Sequence, residues 1–408
     1  MDLLDARGTT APHGTPAPHG TAAPHRTEAP HGGAPDQGSP WPLIARAVRR
    51  TPTPHNTQPL HLRVTGPLEA TVLFDRTRAL PAHPLGVLFG HVTVGILVES
   101  VAVAAHALGH EIDVQLLPGE VRPLPGGAGG PVGTGGSGGT TDLDDERFQA
   151  VAHLRLAPAG RRVPDLDPAL LEVRRTNRLP YDGRDLPEEV LAELALECVV
   201  AGHRIGSTDS RHHVARVVDL NQRTLFDDLA TPPVREELRA WMRYSSRSAA
   251  ASADGFSPEC LVTPGPLLRS VFEHPRLWAT GPMQALSRRV YLRSMRGTPR
   301  VAWVRGPMDT TDDAVAAGRL LIRLWLRLAD HGVAVHPMGS LVTNPASLSE
   351  VDAMVAAVTG RPVRPDAGLT WMVLRLGYGD VPPESLRVPV HDRVHLAGTA
   401  RLDDEGVR

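Results

Sequence analysis

Two long apolar stretches constrain the fold of this chain more than any other feature. GVLFGHVTVGILVESVAVAAHALGH covers residues 86–110, and TTDDAVAAGRLLIRLWLRLADHG covers residues 310–332. A run of this length is either a membrane span or a helix buried in a core. His91, Glu99 and His106 interrupt the first run, which favours the core. In the second, Ala316, Leu320, Leu324 and Leu328, with Ile322 and Trp325, make the helix nearly apolar throughout. Such a helix belongs in a core or a dimer-like interface. Thr310 or Thr311 suits its N-cap, and Asp312 and Asp313 suit its positive N-terminus.

Each long helix is framed by strands. LHLRVTGPLEATVLFD alternates apolar and polar residues, as two antiparallel strands with a turn at Gly66-Pro67 should. EIDVQLLP and RFQAVAHLRLA read as further strands. Ahead of them, PWPLIARAVRRT places Leu43, Ile44, Ala47 and Val48 on one helical face. The second half repeats this grammar. DPALLEVRRTNRLPYDGRDLPEEVLAEL gives helix, polar break and helix; GHRIGSTDS gives a short strand and turn. Residues 210–250 are helical and Arg-rich, GTPRVAWVRG is a strand, and GLTWMVLRLGYG is the last strand. At 408 residues, two copies of an α+β unit fit the length. The first unit spans 41–165, with a flexible Gly-rich insertion at 118–141; the second spans 166–408. Residues 1–40 repeat APHGT, with His13, His19, His25 and His31 in register, and read as a disordered tail. The spacing leaves open a weak soft-metal site, for nickel or copper, or a drifting repeat with no ligand.

The formal net charge of −2 carries no nucleic-acid footprint. All 43 Lys+Arg residues are arginine, a mark of a GC-rich genome, so arginine position counts and abundance does not. Cys198 and Cys260 lack CxxC spacing and read as thiols of a reducing cytoplasm. No secretory signal is expected in residues 1–40. The expectation is a cytoplasmic protein with no membrane and no nucleic-acid partner.

Three segments bear on chemistry. RRTNR, Arg174 to Arg178, sets two guanidinium forks four residues apart around Thr176. If that turn is helical they are neighbours that can grip a phosphate; otherwise it is a solvated basic surface. SLRVP holds Arg387 on a proline-stiffened segment, pre-positioned for an anion or a plain surface residue. RRTPTPHNTQPLHLRV sets Pro52, Thr53, Pro54, His55, Asn56, Thr57, Gln58 and Pro59 between a helix and a strand, more restriction than a turn requires.

Taken together, these segments resemble the FMN-dependent nitroreductase superfamily. Within it the chain is similar to the fused actinobacterial branch, the Acg-type NAD(P)H nitroreductases, over about residues 41–395. The resemblance implies two tandem nitroreductase-like α+β units, antiparallel-rich sheets flanked by helices, packed as a pseudo-dimer within one chain. It implies that Arg174, Arg175, Thr176 and Arg178 hold the FMN phosphate and ribityl chain, with Arg387 as a further phosphate arginine. Pro52, Thr53, His55, Asn56 and Gln58 would lie over the flavin, and the backbone of Met338 and Gly339 would approach its N5. Leu60 stands where the family has Trp, which puts the substrate in doubt.

The first half lacks an RRTNR counterpart, and the second lacks an Asn-Gln loop. The expectation is one complete flavin site per chain, built from both halves, and one degenerate site. NAD(P)H or an organic substrate would exchange hydride with FMN, and further homodimerisation is open. The alternatives are a non-catalytic FMN store or a flavin-dependent dehydrogenase or oxidase of specialised metabolism. No side-chain acid or base is proposed. His212-His213 has no third ligand at metal spacing, and no Ser-His-Asp arrangement is recognisable by motif.

Overall fold

A computed structural model describes residues 39–83, 85–124, 143, 145–160, 165–363 and 368–396. The histidine repeats and most of the Gly-rich insertion lie outside these residues. Helix α1 (Trp41–Val48) leads into strands β1 (Leu60–Gly66) and β2 (Glu69–Asp75), helix α2 (Gly86–Ala107), and strands β3 (His110–Leu116) and β4 (Phe148–Pro158). Helices α3 (Ala169–Val173) and α4 (Glu188–Val200) precede β5 (Arg204–Thr208). Seven helices follow: α5 (Arg211–Ala230), α6 (Pro232–Ala240), α7 (Ser246–Ser252), α8 (Pro258–Leu261), α9 (Gly265–Glu273), α10 (Pro275–Trp278) and α11 (Gly281–Ser294). Then come β6 (Arg300–Gly306), α12 (Thr311–Asp330), β7 (Ala334–Pro337), α13 (Ser340–Thr343), α14 (Pro345–Thr359), β8 (Leu369–Gly377) and β9 (Val394–Leu396).

The chain is α+β, with two antiparallel-rich sheets of matching connectivity. One has the order β3-β4-β2-β1-β9 and the other β5-β6-β8-β7. In each, a long helix, α2 or α12, enters between the second and third strands of the set. The pairings β2–β4 and β6–β8 also carry the same irregularity, a register shift one residue past Val72 and one past Val304. The sets differ in their connections, and α13 and α14 lie between β7 and β8. β1 meets β2 through a tight turn, whereas β5 reaches β6 only after α5–α11.

The two long helices cross at a pair of glycines. A methyl group at Gly95 would stand 2.0 Å from the Val315 carbonyl oxygen, and one at Gly318 would stand 2.0 Å from that of Val92. One contact is the other shifted along the chain by a constant offset, as in a two-fold crossing. Only glycine permits this approach. α2 is long and apolar enough to cross a membrane, yet most of that window is buried inside the fold. Thr310 caps α12 through a reciprocal capping box with Asp313.

Two expectations need correction, and one open alternative is decided. Leu43 is exposed, and Trp41, Ile44, Ala45 and Val48 form the buried face of α1. β8 is not the last strand, because β9 pairs in parallel with β1 through Leu62↔Val394 and Val64↔Leu396. The RRTNR stretch is not helical. α3 ends at Val173, Arg174 has ψ 127°, and Thr176 forms a parallel bridge to Val335 of β7. That pairing, sealed by the Asn177 N–H donated to the Val335 carbonyl at 2.8 Å, overrides helical continuation.

Candidate functional site

The loop between α1 and β1 departs from ordinary backbone geometry. His55, Asn56 and Gln58 have φ of 50°, 54° and 50°. Asn and His tolerate this left-handed region better than most residues, and each such residue costs about 1–3 kcal/mol. Surrounding bonds hold the loop there. The Gln58 N–H donates to Thr53 Oγ1 at 2.9 Å. Asn56 Nδ2 donates to the Gly255 and Leu386 carbonyls, each at 3.1 Å, and the Gly255 N–H returns a bond to the Asn56 carbonyl. Gln58 Nε2 donates to the Ala253 carbonyl at 2.9 Å, and the Val388 N–H donates to Gln58 Oε1 at 3.0 Å. Both amides therefore clasp segments some two hundred and three hundred residues away. Arg78 adds a tie, donating to the Thr57 carbonyl at 2.7 Å and to Asp254 at 2.9 Å.

This clasp delivers Arg387 to the loop, where it donates to Asn56 Oδ1 and, at 3.4 Å, to the Arg50 carbonyl. Arg174 donates to the same Arg50 carbonyl at 3.0 Å, and its guanidinium lies over the Trp325 ring at 4.3 Å. The loop, the RRTNR stretch and the C-terminal arginine thus converge. Burial pulls Arg174 down to about 9, helped by the nearby charges of Arg387 and Arg50. Burial, then Arg50, pulls Arg387 to about 10. The Nε atoms of both are buried without a partner, and among the described residues no carboxylate bonds to either. Burying such a charge without a counterion is costly.

Arg175 takes another path. It donates to the Pro382 carbonyl and pairs with Glu384, which also pairs with Arg50. Arg178 donates to the Cys260 carbonyl at 3.3 Å and lies 5.5 Å from the Phe256 ring centre. His55 packs against the same ring at 5.2 Å, and its Nδ1 is buried without a partner. Burial, with His83 and Arg178 nearby, pulls His55 down to about 4, so it is neutral at pH 7. Met338 is buried, and its N–H is donated to the Val373 carbonyl at 2.8 Å. Gly339 faces open space. Pro52 is half-buried at the start of the loop.

Sequence reasoning missed Arg50, Arg78, Asp254 and Phe256. Arg50 had a signal, since it immediately precedes the loop. The other three reach the site from outside the three motifs and left none.

Comparison with known proteins adds the following. No family model matches the chain, and no curated protein matches it. Solved structures do show similarity. The FMN-dependent nitroreductase NfnB from Mycobacterium smegmatis, in complex with NADPH, is 17% identical, with 53% of this chain and 92% of that chain covered and a TM-score of 0.30. A nitroreductase with bound FMN from Bacteroides fragilis is 14% identical, covering 53% and 91%, with a TM-score of 0.31. A nitroreductase with bound FMN from Desulfitobacterium hafniense is 12% identical, covering 53% and 91%, with a TM-score of 0.31.

Proposed function

We propose that this chain is an FMN-dependent oxidoreductase of the nitroreductase type, in which two fused units build one flavin site between them. The observation that carries this reading is the Arg174–Arg387 pair. The buried Arg174 and the half-buried Arg387 share one carbonyl, leave both buried Nε atoms free of partners, and bond to no carboxylate among the described residues. A phosphate monoester supplies the missing charge and acceptors. Thr176 adds a hydroxyl on the bridged segment between Arg174 and Arg178. Asn56 acts by aiming Arg387, because its own donors are spent on backbone carbonyls. His55, Phe256 and Arg178 offer an aromatic and cationic wall for the rest of the cofactor.

When bound, FMN would supply hydride exchange between a nicotinamide or organic substrate and its N5. The chain would supply placement and electrostatics. The count of one site rests on loop length. Residues 49–59 join α1 to β1, whereas only 201–203 join α4 to β5. The second connection has no room for an amide-bearing loop.

Storage of FMN is the second reading, favoured by the reach of the inserted helices. Ala253, Gly255, Phe256 and Cys260 all touch the loop or its arginines, which makes a cover. The purified protein should carry one flavin per chain. Arg174→Ala with Arg387→Ala should weaken FMN binding at least about 100-fold, since each charge-assisted bond contributes roughly 1.5–3 kcal/mol. Arg175→Ala should change it little. Full stoichiometric flavin in the double variant overturns the reading. Rapid bleaching by NADPH in stopped flow selects a nicotinamide-driven oxidoreductase; bleaching by dithionite and not by NADPH selects storage or a dehydrogenase driven by an organic substrate.

A further inference from the structure

A further buried cation lies on the face of the β6–β8 pair opposite α12. The chain buries other guanidinium groups beside carboxylates: Arg78 meets Asp254 at 2.9 Å, and Arg300 is paired with Asp185 at 2.6 Å. Arg375 of β8 is fully buried and has no such partner among the described residues. Its Nε donates to Thr298 Oγ1 at 2.7 Å, one terminal nitrogen donates to the Leu179 carbonyl at 3.0 Å, and the Tyr181 ring lies 3.6 Å away. Its other terminal nitrogen has no partner.

His336 of β7 is the cross-strand neighbour of Arg375. It is 7% exposed, and its Nδ1 is also without a partner. The positive charges of Arg178 and Arg375 both reach this imidazole and, with burial as the larger cause, keep it neutral. Tyr181 and Tyr291 are the only other ionisable groups that act on both arginines among the described residues. Burial pushes both phenols up to about 12, so neither is an anion at neutral pH. Tyr291 accepts a hydrogen bond from Asn221 of α5. One fully buried cation and two unused polar atoms, with no acid among the described residues, make a site that lacks its negative charge.

We propose that Arg375 and His336 bind a small monovalent anion of halide size, held between β7–β8 and the inserted helices. Small size follows from the burial of Arg375. The proposal rests on Arg375 and His336, which the flavin reading does not use.

Crystals grown in sodium bromide test it directly. An anomalous peak within hydrogen-bond distance of the free Arg375 nitrogen is expected, and its absence overturns the proposal. Thermal unfolding gives the solution counterpart. Sodium bromide should raise the midpoint saturably by a few degrees over sodium gluconate at equal ionic strength. An equal rise in both salts overturns it. His336→Leu should shift half-saturation to about tenfold higher bromide, and Arg375→Gln should abolish the increment. Should Arg375→Gln fail to fold, His336→Leu and the bromide peak decide. Arg174→Ala should keep the increment. Its loss there, with no peak at Arg375, would assign the effect to the phosphate-binding arginines and sink the proposal while leaving the flavin reading intact.

Discussion

Glu237 of α6 is buried with one hydrogen bond, accepted from the Ala82 N–H at 2.8 Å. Burial lifts its carboxyl to about 7, against a smaller opposing effect of that bond. A carboxyl whose folded pKa is raised binds its proton more tightly in the native state. Its contribution is therefore fully present below the unfolded pKa, near 4.5, and is lost as pH rises through about 7. Glu237→Gln keeps an acceptor for Ala82 and removes the charge. It should stabilise the protein by about 1–3 kcal/mol at pH 8 and by almost nothing at pH 4.5. Urea midpoints at the two pH values check this, and a gain independent of pH would rule out the ionisation account. His55 works with the same sense as ordinary acid denaturation. Neutral when folded down to about 4, it protonates first in the unfolded chain, so stability falls as pH drops from 6.5 towards 4.

Among the elements, the α2–α12 crossing sets the tightest tolerance. Both helices come within a hydrogen atom's reach of each other's backbone at Gly95 and Gly318. Gly→Ala elsewhere in a helix stabilises, because alanine has the higher helix propensity. Here the methyl would meet a carbonyl carbon and oxygen, and the helices must separate. Gly95→Ala and Gly318→Ala should each destabilise by about 2–4 kcal/mol. The double variant should cost less than the sum, since the first separation makes room for the second. Denaturant unfolding of the four proteins measures it; stabilisation by either single change would refute the close approach. The helices themselves were legible in the sequence, because an apolar run has a local period. The non-helical RRTNR stretch was not, because it is decided by Val335, far along the chain, and not by its own residues.

At the scale of the whole molecule, the legible part was again whatever is local. Strand alternation, the two long helices, and the arginines of the motifs could all be read from neighbours in sequence. The clasp of Asn56 and Gln58 on residues 253–255 and 386–388 could not, since contacts over such separations leave no pattern in composition or period. β9 escaped for a related reason. It has three residues, and it becomes a strand only because β1 offers an edge. Its attachment is substantial. Val390 and Val394 are buried in the core formed by α1, α2, β1, β2 and β4, the Leu62 N–H donates to the Arg393 carbonyl at 2.8 Å, and His61 lies between Arg393, at 3.2 Å, and His395, at 3.0 Å. Ending the chain after Pro389 removes all of this and leaves β1 as an open edge, prone to pairing with other chains. Ending it after Leu396 keeps it. The shorter protein should be less stable than the longer by about 3–5 kcal/mol, set mainly by the two lost valines. It should also aggregate on warming where the longer one does not. Both retain Arg387, so a difference in urea midpoint between them reports on the strand and not on the arginine; equal midpoints would mean that β9 lies on β1 without holding it.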